Sequence, residues 1–308
     1  MHRYHLRAVI RCFALLPVFL LLLPSVVPAK VLEAVGPGRV DWTAQRLEAT
    51  GRSSAWSYTG DNATARIDPA VLQRGAAIQA RRQLFEALKE VRVDRQWRVG
   101  DLLKQRPQLR ETLSGRVHSP ALADGARDDT RQSVRLTLTG TLLETLMPPK
   151  THFNGQAAAA SEGSNGTAEY TGVVIDARNI ALEPALFPRI YDDRGELIYG
   201  PAAVRAQAAR QSGLAVYVRS MAAGLAHPRA GQRPVVLEAF SAQGRLGTDA
   251  VVLHQNEQLD QLASALRHAR VIIVLGNTDS QGQNTAAQTG AGNGSEKGQS
   301  EVQEFELQ

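Results

Sequence analysis

Asp176 and Arg178 are the polar pair most worth weighing as a site, because they follow an apolar run, Tyr170 to Ile175, where a buried strand should give way to its loop. Opposite charges there suit a ligand clamp or an interface pair. They equally suit an ion pair that shapes the chain's path out of the strand, which is the commoner role. Asp192 and Asp193 resemble paired carboxylates, but in Asp192-Asp193-Arg194-Gly195 they read as the turn of a hairpin with arms 189–191 and 197–199. Tyr191 and Tyr199 on those arms are candidate interface residues. A two-stranded hairpin is marginal alone, so some of its apolar side chains must pack on the 170–175 strand while any left facing outward offer a contact to a neighbouring chain. His118, His152, His227, His254 and His268 show neither i,i+4 spacing nor a HExxH pattern. There is no GxSxG elbow or Ser-x-x-Lys pair, and Gly36-Pro37-Gly38 lacks the third glycine of a dinucleotide loop. No catalytic residue, cofactor or metal is expected.

The elements that must position these residues begin with an apolar-polar alternation from Val40 through Trp42, Leu47 and Ala49 to Gly51, which predicts a strand with the Trp inward. Asp68-Pro69 predicts a helix start, with Ala77, Ala80, Leu84, Leu88 and Val91 as its buried stripe. Small residues in its first half suggest close approach to a sheet. Short extended pieces at 91–93 and 97–99 and a short helix near 102–105 follow. Leu113, Gly115 and Val117 alternate as a strand, and 133–146 reads as a long half-exposed strand paired to it.

Pro148-Pro149 and a small, polar, Gly-rich tract predict a linker over 148–167 between domains 30–147 and 168–276 that fold without each other. The second domain should hold the 170–175 strand, the hairpin, a helix over 202–211, strands near 214–218, 235–240, 250–253 and 269–275, and a helix over 256–266. The fold class is α+β, two small domains, each a mainly antiparallel sheet with helices packed on it. Residues 277–308 are Gly-, Gln-, Asn- and Ser-rich, with too few apolar residues to offset the ~1–2 kcal/mol per residue of ordering entropy, which predicts a disordered tail.

The N-terminus carries a basic stretch with Arg3, Arg7 and Arg11, an apolar core from Phe13 to Leu23, and small residues at Val27 and Ala29. This is the form of a signal peptide over 1–29, and its core is short for a membrane span of ~20 residues. Retention as an uncleaved anchor is the rival. Cys12 is the only cysteine. It precedes the apolar core, where it cannot be a lipid acceptor, so the exported chain would hold no disulfide and must rely on burial. Net charge is +5 over 308 residues, and no Lys/Arg cluster is interleaved with aromatics. Nucleic acid is therefore not an expected partner.

Three pieces of the second half, 170–178 (YTGVVIDAR), 184–192 (PALFPRIYD) and 195–200 (GELIYG), resemble a block of the LPP-twenty family of small bacterial outer-membrane lipoproteins, which includes a flagellar assembly lipoprotein. The first half is similar more loosely, at Trp42, in the Ala-rich helix and in Val91-Arg92-Val93-Asp94. The resemblance implies a non-catalytic envelope protein of an assembly type, with a first domain like dodecin or SHS2 modules. It also implies envelope partners, among them flagellar or other outer-membrane components, and a homo-oligomeric state. The family's lipid-acceptor cysteine is missing here, so a periplasmic or protein-tethered form at the outer membrane is expected. The alternative is a periplasmic binding module for a small molecule or glycan.

Overall fold

The computed structural model describes residues 30–54, 68–118, 121–122, 130–156, 170–253 and 256–276. The expected signal segment, the expected linker from 157, the tail 277–308 and His254 lie outside the described residues. Among the described residues, no helix is long and apolar enough to cross a membrane.

The first half is a five-stranded antiparallel sheet in the order β1-β2-β3-β5-β4. Its strands are β1 (Leu32–Val35), β2 (Gly38–Asp41), β3 (Arg46–Arg52), β4 (Ala121–Leu122) and β5 (Arg131–Thr137). Helix α1 (Pro69–Glu90) lies on one face. Its start is as expected, with Asp68 Oδ1 accepting from Ala70 N at 2.9 Å. Its buried face is Ala76, Ala80, Leu84, Ala87 and Leu88, so Ala76 takes the place expected for Ala77. The helix touches the sheet backbone itself. A Cβ on Gly51 would stand 2.1 Å from the Ala76 carbonyl oxygen and 2.3 Å from Ala80 N.

Three local expectations are corrected. The strand expected over 40–51 is two strands, β2 and β3, joined by a turn in which Asp41 Oδ1 accepts from Ala44 N at 2.8 Å. The strand expected at 113–117 is helix α3 (Leu109–His118), preceded by α2 (Val99–Gln105). Leu113 and Val117 are both buried, and their i,i+4 spacing satisfies a helix as well as a strand. The long strand expected to 146 ends at Thr137, where Gly140 takes a φ of +69° and α4 (Thr141–Thr145) begins. Leu142, Leu143 and Leu146 are then buried at helical spacing. The long partner of β5 is consequently β3, over seven residues from Arg46↔Thr137 to Arg52↔Arg131, with the two-residue β4 on its other side.

The second half is a seven-stranded sheet in the order β8-β7-β11-β10-β6-β12-β9. Its strands are β6 (Gly172–Ala177), β7 (Ile190–Asp192), β8 (Leu197–Tyr199), β9 (Ala215–Val218), β10 (Pro234–Gln243), β11 (Asp249–Val252) and β12 (Val271–Leu275). The helices are α5 (Ala206–Ser212), α6 (Met221–Leu225) and α7 (Asn256–Arg267). The α+β class holds, but this sheet is mixed rather than mainly antiparallel: β10, β6, β12 and β9 run parallel, as do β11 and β7. The physical sign is in the strands themselves. β12, β9 and β11 are buried at every position and β6 at all but Asp176, as parallel strands covered on both faces must be. β10 alternates, and its outer residues Val236 and Phe240 stay 44% and 49% exposed.

The halves share one core. Val40, Trp42, Leu47, Leu84 and Leu138 belong to the same buried cluster as Ile175, Phe187, Tyr217 and Ile273. A smaller cluster, including Val174, Val218 and Val274, lies under α6 on the opposite face of the second sheet. Residues 151–156, expected within the linker 148–167, instead pack onto the second half: Phe153 stacks on Phe187, and Gly155 N donates to the Val204 carbonyl at 3.1 Å.

Candidate functional site

The outer edge of β9 explains how the halves meet. An edge strand presents unpaired backbone groups, and here the first half covers them. Lys30 forms a bridge to Val218. Thr43 Oγ1 donates to the Tyr217 carbonyl and Gln45 Nε2 to the Ala215 carbonyl, both at 2.7 Å. On the other side of the junction the loop after β6 joins the 91–93 segment, with Leu186 N donating to the Arg92 carbonyl at 3.1 Å and Phe187 N to the Val93 carbonyl at 2.8 Å.

Between these seams lies a cleft of about 270 Å³, bounded by Leu32 and Glu33 of β1, Leu182 and Glu183, and Arg219 and Gly276. It stands where β6, β9 and β12 end, the side on which open sheets with parallel strands receive ligands. Arg92 spans it: Nη1 donates to Glu33 and Nη2 to Glu183. Glu33 Oε2 also accepts from Trp42 Nε1 at 2.7 Å. Arg219 Nη1 donates to the Gly276 carbonyl. Arg92 is only 10% exposed along its side chain, so its two carboxylates compensate a charge that is largely out of water.

A second polar cluster ties the turn between β10 and β11 to the loop 94–97. Asp94 Oδ1 accepts from Gln96 N and Trp97 N, which closes that loop. Asp249, fully buried at the start of β11, accepts from Arg189 N at 3.3 Å and faces Arg95 Nη1 at 3.8 Å. Its Oδ2 makes no hydrogen bond among the described residues. Burial pushes the Asp249 carboxyl up to about 6, against the pull of Arg189 and Arg95.

The candidates named from sequence fall apart in space. Arg178 grips Asp176 in bidentate fashion, with Nε to Oδ1 at 2.8 Å and Nη2 to Oδ2 at 2.7 Å, and this hydrogen bonding holds the Asp176 carboxyl below its usual range. The pair is a local ion pair at the end of β6, and Arg178 is spent on it. The hairpin forms as expected: Asp192 Oδ1 accepts from Arg194 N and Glu196 N, and Gly195 has a φ of +84°. Tyr199, however, is fully buried and donates its hydroxyl to the Leu214 carbonyl at 2.7 Å, so it cannot be an interface residue. Its ring completes the core, and burial raises its hydroxyl's pKa. Tyr191 is half-buried with its hydroxyl 3.5 Å from Arg95 Nη1. Among the described residues no three His, Cys, Asp or Glu side chains gather to hold a metal. Arg92 and Asp249 escaped the sequence reading, although a charge inside the apolar run Val91-Arg92-Val93 was a legible sign of a buried ion.

Residues 172–278 match the family model described as the second domain of Treponema pallidum Tp0624. This is a bacterial domain family, and the match runs from β6 through β12. The similarity therefore takes in the whole seven-stranded sheet, including Arg219 and Asp249, while Glu33 and Arg92 lie outside it. No curated protein matches the chain.

Proposed function

We propose that this is an exported, non-catalytic structural or assembly protein of the Gram-negative cell envelope, related to the LPP-twenty lipoproteins and acting at the periplasmic side of the outer membrane. The observation that carries the reading is the outer face of β10. Val236 and Phe240 stand about half exposed on it, flanking Glu238, beside strands β6 and β11 that are covered, and a sheet face of that kind suits contact with another copy. The shared core supports it as well, since a building block needs its parts in fixed relation. Light scattering on the purified chain tests it: an oligomer is expected, and Phe240→Ser, at an exposed position, should lower its mass while leaving the fold's circular dichroism unchanged. A monomer at all accessible concentrations would sink the assembly reading.

The junction cleft favours a second reading, a periplasmic binding module for a small polar molecule or glycan fragment. Its mixed lining of Glu33, Glu183, Arg92 and Arg219 suits a ligand with both donors and acceptors. Thermal stabilisation by such compounds, lost in Arg219→Ala, would favour this reading over the first.

A further inference from the structure

The solvent side of α1 is unlike an ordinary polar helix face. Val71 and Ile78 lie opposite the buried stripe, 36% and 65% exposed, and half-buried Phe85, two turns further on, leans from the groove onto the core. Beside them runs a groove of about 280 Å³ between α1 and α3, walled by Ile78, Phe85 and Val117 and rimmed by Arg81, Arg82 and Glu86. Arg81 Nε is buried and makes no hydrogen bond among the described residues. The groove also sits in the most basic part of the chain: residues 69–118 hold eleven Lys or Arg against five Asp or Glu.

The complementary charge lies in the same polypeptide. Residues 277–308 hold Asp279, Glu296, Glu301, Glu304 and Glu306 against a single Lys297. From 277 to 300 there is no Val, Leu, Ile, Phe, Trp, Tyr or Met, yet Glu301-Val302-Gln303-Glu304-Phe305-Glu306-Leu307 sets apolar residues among carboxylates. We propose that this C-terminal segment docks in the α1–α3 groove, with Phe305 entering the apolar wall and the glutamates facing Arg81 and Arg82. The connecting stretch is long. The 24 residues from 277 to 300, Gly-, Ser- and Gln-rich, span roughly 25–30 Å r.m.s. and up to about 80 Å extended. A tether of that kind holds its end at an effective concentration on the order of millimolar, so even a segment binding at about 100 µM would be mostly bound.

Hydrogen exchange on the full chain tests the proposal, comparing it with a chain ending at Ser300 and with Phe305→Ala and Arg82→Glu variants, none of which touches the core. At that effective concentration, local opening of α1 from 71 to 85 should be about tenfold faster in the truncated chain. Both single variants should shift the same way, and a synthetic peptide of residues 299–308 should restore protection, less well at high salt. Identical exchange with and without the segment overturns the proposal. So does protection that rises with protein concentration, which would assign the groove to the tail of a second copy, and so does protection unmoved by Arg82→Glu, which would leave charge out of the recognition.

Discussion

The indole of Trp42 meets the ring of Tyr217 edge-on, with centroids 5.8 Å apart and planes inclined at 70°. One ring belongs to the turn after β2 and the other to β9, so this contact is where the two sheets become one body. Tyr217 adds two bonds to the backbone of buried Ala185, accepting from its N–H at 3.0 Å and donating to its carbonyl at 2.9 Å. Trp42→Ala should therefore cost about 3–5 kcal/mol. The loss should appear equally in the hydrogen-exchange protection of β3 and of β6 and β12. Protection of β6 and β12 left at the wild-type level would mean that the halves fold independently after all.

Gly51 carries the other close approach. A Cβ there would collide with the backbone of α1, not with a movable side-chain end, so the helix itself must shift. Gly51→Val should lower stability by about 3 kcal/mol or more, and the urea midpoint should fall accordingly. Gly115, whose Cβ would meet nothing within 4 Å, is the control: Gly115→Ala should be neutral or slightly stabilising, because it sits in a helix.

Tyr199→Phe separates core from interface. Removing the hydroxyl leaves the buried Leu214 carbonyl without its partner at 2.7 Å, a cost of about 1–3 kcal/mol. Melting temperature should drop while oligomer mass in light scattering stays as in the wild type. A changed mass at unchanged stability would return the hairpin to the interface.

What the sequence disclosed follows the physics of each signal. Helix α1, the hairpin and the strands of the second sheet were legible because a cap, a turn glycine and unbroken apolar runs each admit one local solution. Leu113 and Val117 were not, since two apolar residues four apart fit either period. The parallel order of β10-β6-β12-β9 was also hidden: buried strands look alike whichever way their neighbours run. The junction cleft was least legible, because Glu33, Arg92 and Glu183 come together only through the packing of the two sheets.

Asp249 makes the stability of the fold depend on pH. Its carboxyl has an ordinary value of 3.8 and is raised to about 6 in the fold, chiefly by burial. Arg189 and Arg95 oppose that shift and Asp94 reinforces it. The folded state thus holds this proton more tightly than the unfolded chain does. The stability it contributes is complete below the unfolded value near pH 4 and is lost as pH rises through about 6. At about 1.4 kcal/mol per pH unit the loss is on the order of 2–3 kcal/mol by neutral pH. Asp249→Asn keeps the shape and removes the titration. Its melting temperature relative to wild type should climb between pH 4 and pH 7, with the gap turning in the variant's favour at the upper end. The groups that titrate elsewhere, Glu48 and Asp176 among them, are common to both chains and cancel in the difference. A gap that stays constant across this window would show that the buried carboxyl is ionised throughout, held by Arg95 and Arg189 more firmly than its missing hydrogen bond implies.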